Sequence, residues 1–119
     1  MDPNVLRLAM GAGGAGEAQY ELYTFGNNSF GQLGLGDTTS RSSPVQVGAL
    51  TTWLSVAAGR YYAAAIKTDG TLWTFGLNNF GQLGTGNTTY RSSPVQVGAL
   101  TTWASVAAGN RITAAITEE

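Results

Sequence analysis

The sequence predicts an all-β fold of repeated four-stranded units, and three observations predict it. The chain repeats itself at a spacing of 50 residues. Its apolar residues fall in short runs, and no 3.6-residue periodicity persists long enough for an amphipathic helix. Its 17 glycines in 119 residues lie mostly between those runs, where tight turns belong.

The repeat fixes the organisation. Leu22–Asp69 laid over Leu72–Glu119 matches at 34 of 48 positions, and Arg41–Trp53 recurs unchanged as Arg91–Trp103. Residues 1–19 precede it. They hold an apolar stretch, Asn4–Met10, and a glycine-rich linker, Gly11–Gly16, flexible by composition. The expected division is a leader over 1–19, one blade over 20–71 and a second over 72–119, the second completed by the N-terminal strand of a neighbouring chain.

Within a repeat, Leu22–Phe25 reads as the first strand and Leu72–Phe75 as its copy. A glycine-rich loop follows. Val45–Val47 alternates with a period of two, and Trp53–Ala58 and Tyr61–Lys67 read as the third and fourth strands. Asp69-Gly70 stands between Ala63–Lys67 and Leu72–Phe75, the signal of a hairpin whose turn needs a positive φ. About four short strands per repeat fit one blade of a β-propeller, whereas leucine-rich and ankyrin repeats are shorter.

The run Asp69–Gly76, then Asn78, Gly81-Gln82-Leu83-Gly84-Thr85-Gly86 and Pro94, resembles the repeat of the regulator of chromosome condensation family. The first copy keeps Leu22, Thr24–Gly26, Asn28, Gly31–Gly34, Gly36 and Pro44. The resemblance covers about 100 residues and implies a propeller. One departure is that a His common near the start of the Ala-rich strand is replaced by Tyr61-Tyr62 and Arg111-Ile112. Family members include an exchange factor for a small GTPase, lectin-like proteins and interaction modules, and fold alone does not choose among them. The leader loosely resembles N-terminal segments of phage virion proteins, which implies attachment to a larger assembly through residues 1–10.

Composition narrows the function. Without Cys or His there is no disulfide, no zinc site of the usual ligand types, no thiol nucleophile and no histidine base. Six basic against seven acidic residues leave no stripe for nucleic acid. No apolar run is long enough for a membrane-spanning helix, and Asp2 in place of a basic start argues against a signal peptide. Outside a virion, the cytoplasm is the expected location. Gly11-x-Gly13-x-x-Gly16 lacks the strand and helix a dinucleotide fold requires, and Gly31-Gln32-Leu33-Gly34 lacks the Lys-Ser/Thr of a phosphate loop. Asp37 and Asp69 are the two aspartates inside the blades. Asp69 serves a turn and Asp37 becomes Asn87, so neither reads as an acid–base catalyst. The expectation is a non-enzymatic chain without cofactor or metal.

Differences between the copies mark the candidate binding positions. Arg60-Tyr61-Tyr62 becomes Asn110-Arg111-Ile112, and Ser40 becomes Tyr90. Tyr and Arg are enriched at binding hot spots, so Arg60, Tyr61, Tyr62, Asn110, Arg111 and Tyr90 are the candidates for a protein or glycan ligand. Drift at exposed loops is the competing reading.

Two blades cannot close a circle. Strand Glu21-Leu22-Tyr23-Thr24-Phe25 lacks its preceding partner, and Thr113-Ala114-Ala115-Ile116-Thr117 lacks its following one. Each matches one strand of the hairpin around Asp69-Gly70. The expectation is head-to-tail closure between identical chains. At two blades per chain, a trimer gives six, the first choice, and a tetramer eight, both within the usual range of about four to eight. The alternatives are a regulatory interaction propeller acting on a GTPase, and an engineered or truncated piece of a longer propeller.

Overall fold

The computed structural model describes residues 19–118, so the expected leader and its anchoring role lie outside the described residues. Eight strands follow in order: β1 (Tyr23–Gly26), β2 (Arg41–Gln46), β3 (Trp53–Ala58), β4 (Tyr62–Lys67), β5 (Leu72–Gly76), β6 (Arg91–Gln96), β7 (Trp103–Ala108) and β8 (Thr113–Thr117). All named pairs are antiparallel. The second strand of each repeat is longer than its alternating valines suggest, because it starts at Arg41 and tolerates Pro44. Proline fits there because β2 and β6 are edge strands, where a missing N–H costs no ladder bond.

The strands group differently from the expected blades over 20–71 and 72–119. One complete sheet has the order β3-β4-β5-β6, and a two-stranded sheet flanks it on each side, β1-β2 and β7-β8. The complete blade thus spans the boundary between the sequence copies. The tight turn after β4 causes this. Gly70 N–H donates to the Lys67 carbonyl at 2.9 Å and Lys67 N–H to the Thr71 carbonyl at 3.0 Å. Gly70 itself sits at φ +84°, where a Cβ would meet the Thr101 carbonyl oxygen at 1.9 Å. Asp69 Oδ1 accepts from the Thr71 N–H and hydroxyl, which locks the turn. The hairpin therefore ties the last strand of one copy to the first strand of the next.

β4 is buried along Tyr62–Ile66, on both faces. That explains its alanines, because small side chains let a neighbour approach on each side. One apolar cluster joins Leu22, Val47, Trp53, Ala63, Ala65 and Phe75, and links the β1-β2 half to the complete blade. A second joins Ala64, Ile66 and Leu72 to Val97, Trp103, Val106 and Ala115, and links the β7-β8 half. Burying a ring such as Phe75, which is 0% exposed, contributes about 1.5–3 kcal/mol.

The glycine-rich loop after β1 closes the first junction. Gly31 lies where a Cβ would meet Ser92 Cα at 2.5 Å, and Gly34 packs on the Phe75 ring. Gly36 N–H donates to the Ser92 carbonyl at 2.7 Å. Asn28 holds the loop from within. Its amide donates to the carbonyls of Asp37 and Thr39 and its Oδ1 accepts from Leu33 N–H. Asn78 repeats this with Asn87, Thr89 and Leu83.

Candidate functional site

Two repeat-equivalent loops lie side by side at the entrance to β4 and β8. Arg60 N–H donates to the Gly109 carbonyl at 3.3 Å, and the Tyr62 hydroxyl donates to the Ile112 carbonyl. These bonds bring Arg60, Tyr61, Asn110 and Arg111 into one open groove of about 200 Å³, with Phe30, Leu77, Asn79 and Gln82 completing its walls.

The groove is assembled by a contact that recurs with the repeat. Phe30, at the tip of the first glycine-rich loop, meets the Tyr61 ring edge-on, with centroids 5.4 Å apart. Its counterpart Phe80 lies under the Arg111 guanidinium at 4.6 Å. Arg60 stacks on the other partner, Tyr61, at 5.3 Å. Tyr61 has φ +68°, the single positive-φ residue other than glycine among the described residues. It is held there by Leu77 N–H, which donates to its carbonyl at 2.8 Å, and by Gly76, where a Cβ would meet that carbonyl oxygen at 2.6 Å.

Four of the six binding candidates therefore converge. Tyr62 does not: it is 1% exposed and its hydroxyl is used inside the fold, so it is a core residue. The doublet Tyr61-Tyr62 conceals this: Tyr61 precedes β4 at a positive φ and lines the groove, while Tyr62 opens the buried strand. Tyr90 is exposed but lies outside the groove. The sequence reading missed Phe30, Leu77, Asn79 and Gln82. Phe30 and Phe80 carried a usable signal, an aromatic residue in an otherwise polar loop, at 36% and 58% exposure.

A second cavity of about 490 Å³ runs along the seam between β1-β2 and the complete blade, lined by Leu35, Val47, Trp53, Lys67 and Trp73 among others. The Lys67 ammonium covers the Trp73 ring at 3.9 Å and the Trp53 ring at 5.1 Å, so a side chain of the chain itself caps both indoles.

The two aspartates of the blades are occupied in turns. The Thr71 hydroxyl and then its N–H hold Asp69 below the ordinary carboxylate range. The Thr39 N–H, followed by Arg41 at 3.0 Å, does the same for Asp37. Among the described residues no cluster of three acidic, His or Cys side chains could hold a metal ion. Among these described residues, too, no helix is long and apolar enough to cross a membrane.

The closure residues stand at opposite sides of the structure. β1 pairs with β2 alone and β8 with β7 alone, so each leaves one edge without a strand.

Short antiparallel sheets packed face to face through apolar strands, with glycine loops sealing the junctions, define blades of a β-propeller. The chain belongs to the regulator of chromosome condensation (RCC1) repeat family, whose model matches residues 21–66 and 69–116. A second model of the same repeat matches residues 53–82. Similar solved structures include human WBSCR16, at 23% identity and a TM-score of 0.73 over 84% of this chain and 27% of that one. Yeast RCC1 (Prp20) bound to Kap60 matches at 22% identity and 0.70, over 82% and 26%. Prp20p from Saccharomyces cerevisiae matches at 16% and 0.70, over 87% and 28%. The chain thus spans about a quarter of the length of these structures.

Proposed function

We propose that the chain is a non-catalytic protein-interaction module of propeller type, and that copies of it complete one another into a ring. The repeat and the blade packing support the interaction reading. So does the company the fold keeps: one neighbour was solved bound to Kap60, and Prp20p is described by its binding properties to Gsp1p and histones.

One observation carries the ring. Residues that are equivalent in the repeat have opposite environments. Tyr62, Ile66 and Phe75 in the complete blade are at most 1% exposed, while their counterparts Ile112, Ile116 and Phe25 are 68%, 62% and 62% exposed. A Cβ at Gly31 would strike Ser92, whereas one at Gly81 would meet nothing within 4 Å. The surfaces that lack a neighbour are those whose copies have one, and the β7-β8 half is the complement of the β1-β2 half. Bare edges and apolar faces of this kind drive association.

A second reading comes from length. The chain spans about a quarter of its structural neighbours, and further blades of a longer chain would cover the same edges. The mass of the 119-residue chain in solution separates the two. The ring reading expects a discrete oligomer, a trimer as first choice and a tetramer as second. A folded monomer at micromolar concentration sinks it.

A further inference from the structure

The groove between the two loops offers hydrogen-bond donors and no charged acceptor. Phe80 N–H donates to Gln82 Oε1 at 2.8 Å, which turns Gln82 Nε2 to Asn79 Oδ1 at 3.3 Å. Because a backbone N–H fixes this orientation, Asn79 is left with its own N–H groups to present. Arg60 and Arg111 add two guanidinium groups, and among the described residues no Asp or Glu lines the groove. Among the described residues neither arginine has an acidic partner within salt-bridge distance. Both lie over aromatic rings, Tyr61 and Phe80. Stacking orients a planar guanidinium and leaves its N–H groups available in the plane.

The strained backbone stands at the same place. A left-handed conformation is strained for a non-glycine residue, and such outliers cluster at ligand clamps. The Tyr61 conformation places its ring between Phe30 and Arg60. The space, about 200 Å³, is below the roughly 300–1,000 Å³ of pockets that enclose a whole small ligand. It suits one side chain of a larger partner.

We propose that this groove binds side-chain carboxylates of an acidic segment of a partner protein, with Arg60 and Arg111 as the charged donors and Asn79 as a neutral one. A carboxylate accepts only, as a donor-lined groove requires, and its plane matches a guanidinium fork. A neutral sugar would leave both guanidinium groups without a charged partner. The proposal rests on the interaction-module reading, but the groove lies within one chain and does not depend on ring closure.

The test titrates the full 119-residue chain with an oligoglutamate peptide by calorimetry at low and high salt, with an oligoglutamine peptide as control. The expected result is binding of oligoglutamate alone, weakened by salt. Arg60→Gln and Arg111→Gln should each reduce the affinity at least about tenfold, on the scale of a charge-assisted pair, with solution mass and thermal midpoint unchanged. Equal binding of oligoglutamine overturns the proposal. So does arginine-dependent binding of an oligouronate or a phosphoserine peptide where oligoglutamate shows none, or a change of mass in Arg60→Gln, which would make Arg60 structural. A monomeric chain that still binds oligoglutamate through Arg60 refutes the ring and leaves the groove standing.

Discussion

Asn28 and Asn78 are fully buried side chains in the most glycine-rich segments of the chain. Each uses both ends of its amide on loop backbone, so each loop has an internal strut where an apolar side chain would leave carbonyls unpaired. Substituting Asn78→Ala removes three such bonds and strands buried polar groups, each worth about 1–3 kcal/mol. We expect a loss of about 2–4 kcal/mol in urea unfolding, with the sheet signal in circular dichroism retained in the folded state. The exposed change Asn79→Ala should cost less than about 1 kcal/mol. The sequence shows both asparagines at equivalent repeat positions but not that they are buried struts. That follows from a loop fold which brings residues 9 and 11 positions apart around one amide.

At the scale of elements, β8 shows how a strand's environment is set from outside it. Its copy β4 is buried between β3 and β5, while β8 has β7 alone. Lys67 N–H points to β5, where it donates to Thr71, and the Tyr61 carbonyl on the same side accepts from Leu77. By the two-residue alternation Ala65 faces β5 as well, and it is registered on Trp73. Its counterpart Ala115 therefore turns its N–H to the bare edge. Ala115→Pro removes a donor that the β7-β8 pair does not use. The ring expects the oligomer to dissociate or aggregate while the β7-β8 half persists, read by light scattering alongside circular dichroism. An unchanged mass means that this edge binds nothing. Strand existence was legible from the sequence for all eight elements, because turn glycines and apolar runs are local signals. The β4-β5 hairpin was legible too, from Asp69-Gly70, but the full order β3-β4-β5-β6 was not, because β5 and β6 pair across a long loop that carries no local pairing signal.

For the whole molecule, the complete blade predicts the register of the closing pair. Ala64 faces Thr74 and Ile66 faces Leu72, so the proposed ring expects, 50 residues apart, Ala114 to face Thr24 and Ile116 to face Leu22 of the next copy. Ala64 and Thr74 turn their N–H groups away from each other by the same alternation. Such pairs bring Cα atoms to about 4.5 Å, within reach of a disulfide. The chain has no cysteine of its own. A Thr24→Cys, Ala114→Cys double variant, oxidised and run without reductant, should collapse to one covalent species of the closed ring's mass, three copies by first choice. Reductant should return it to single chains. Thr24→Cys, Ala115→Cys is out of register and should cross-link poorly. Equal cross-linking of both variants argues against a defined strand pairing.

The sequence by itself determined the blade architecture, the family and the hairpin at Asp69-Gly70, because turn chemistry and a long exact repeat act through neighbouring residues. It also brought out Arg60, Tyr61, Asn110 and Arg111, since two nearly identical copies make each difference conspicuous. Tertiary structure alone decided the rest. It placed Tyr62 in the core and Tyr61 in a groove, added Phe30, Leu77, Asn79 and Gln82 from two separate loops, and split the two copies into one complete sheet and two halves. The physical reason is the same each time. Burial and juxtaposition depend on which blade lies alongside, and residues of identical sequence acquire opposite environments when only one of them has a neighbour.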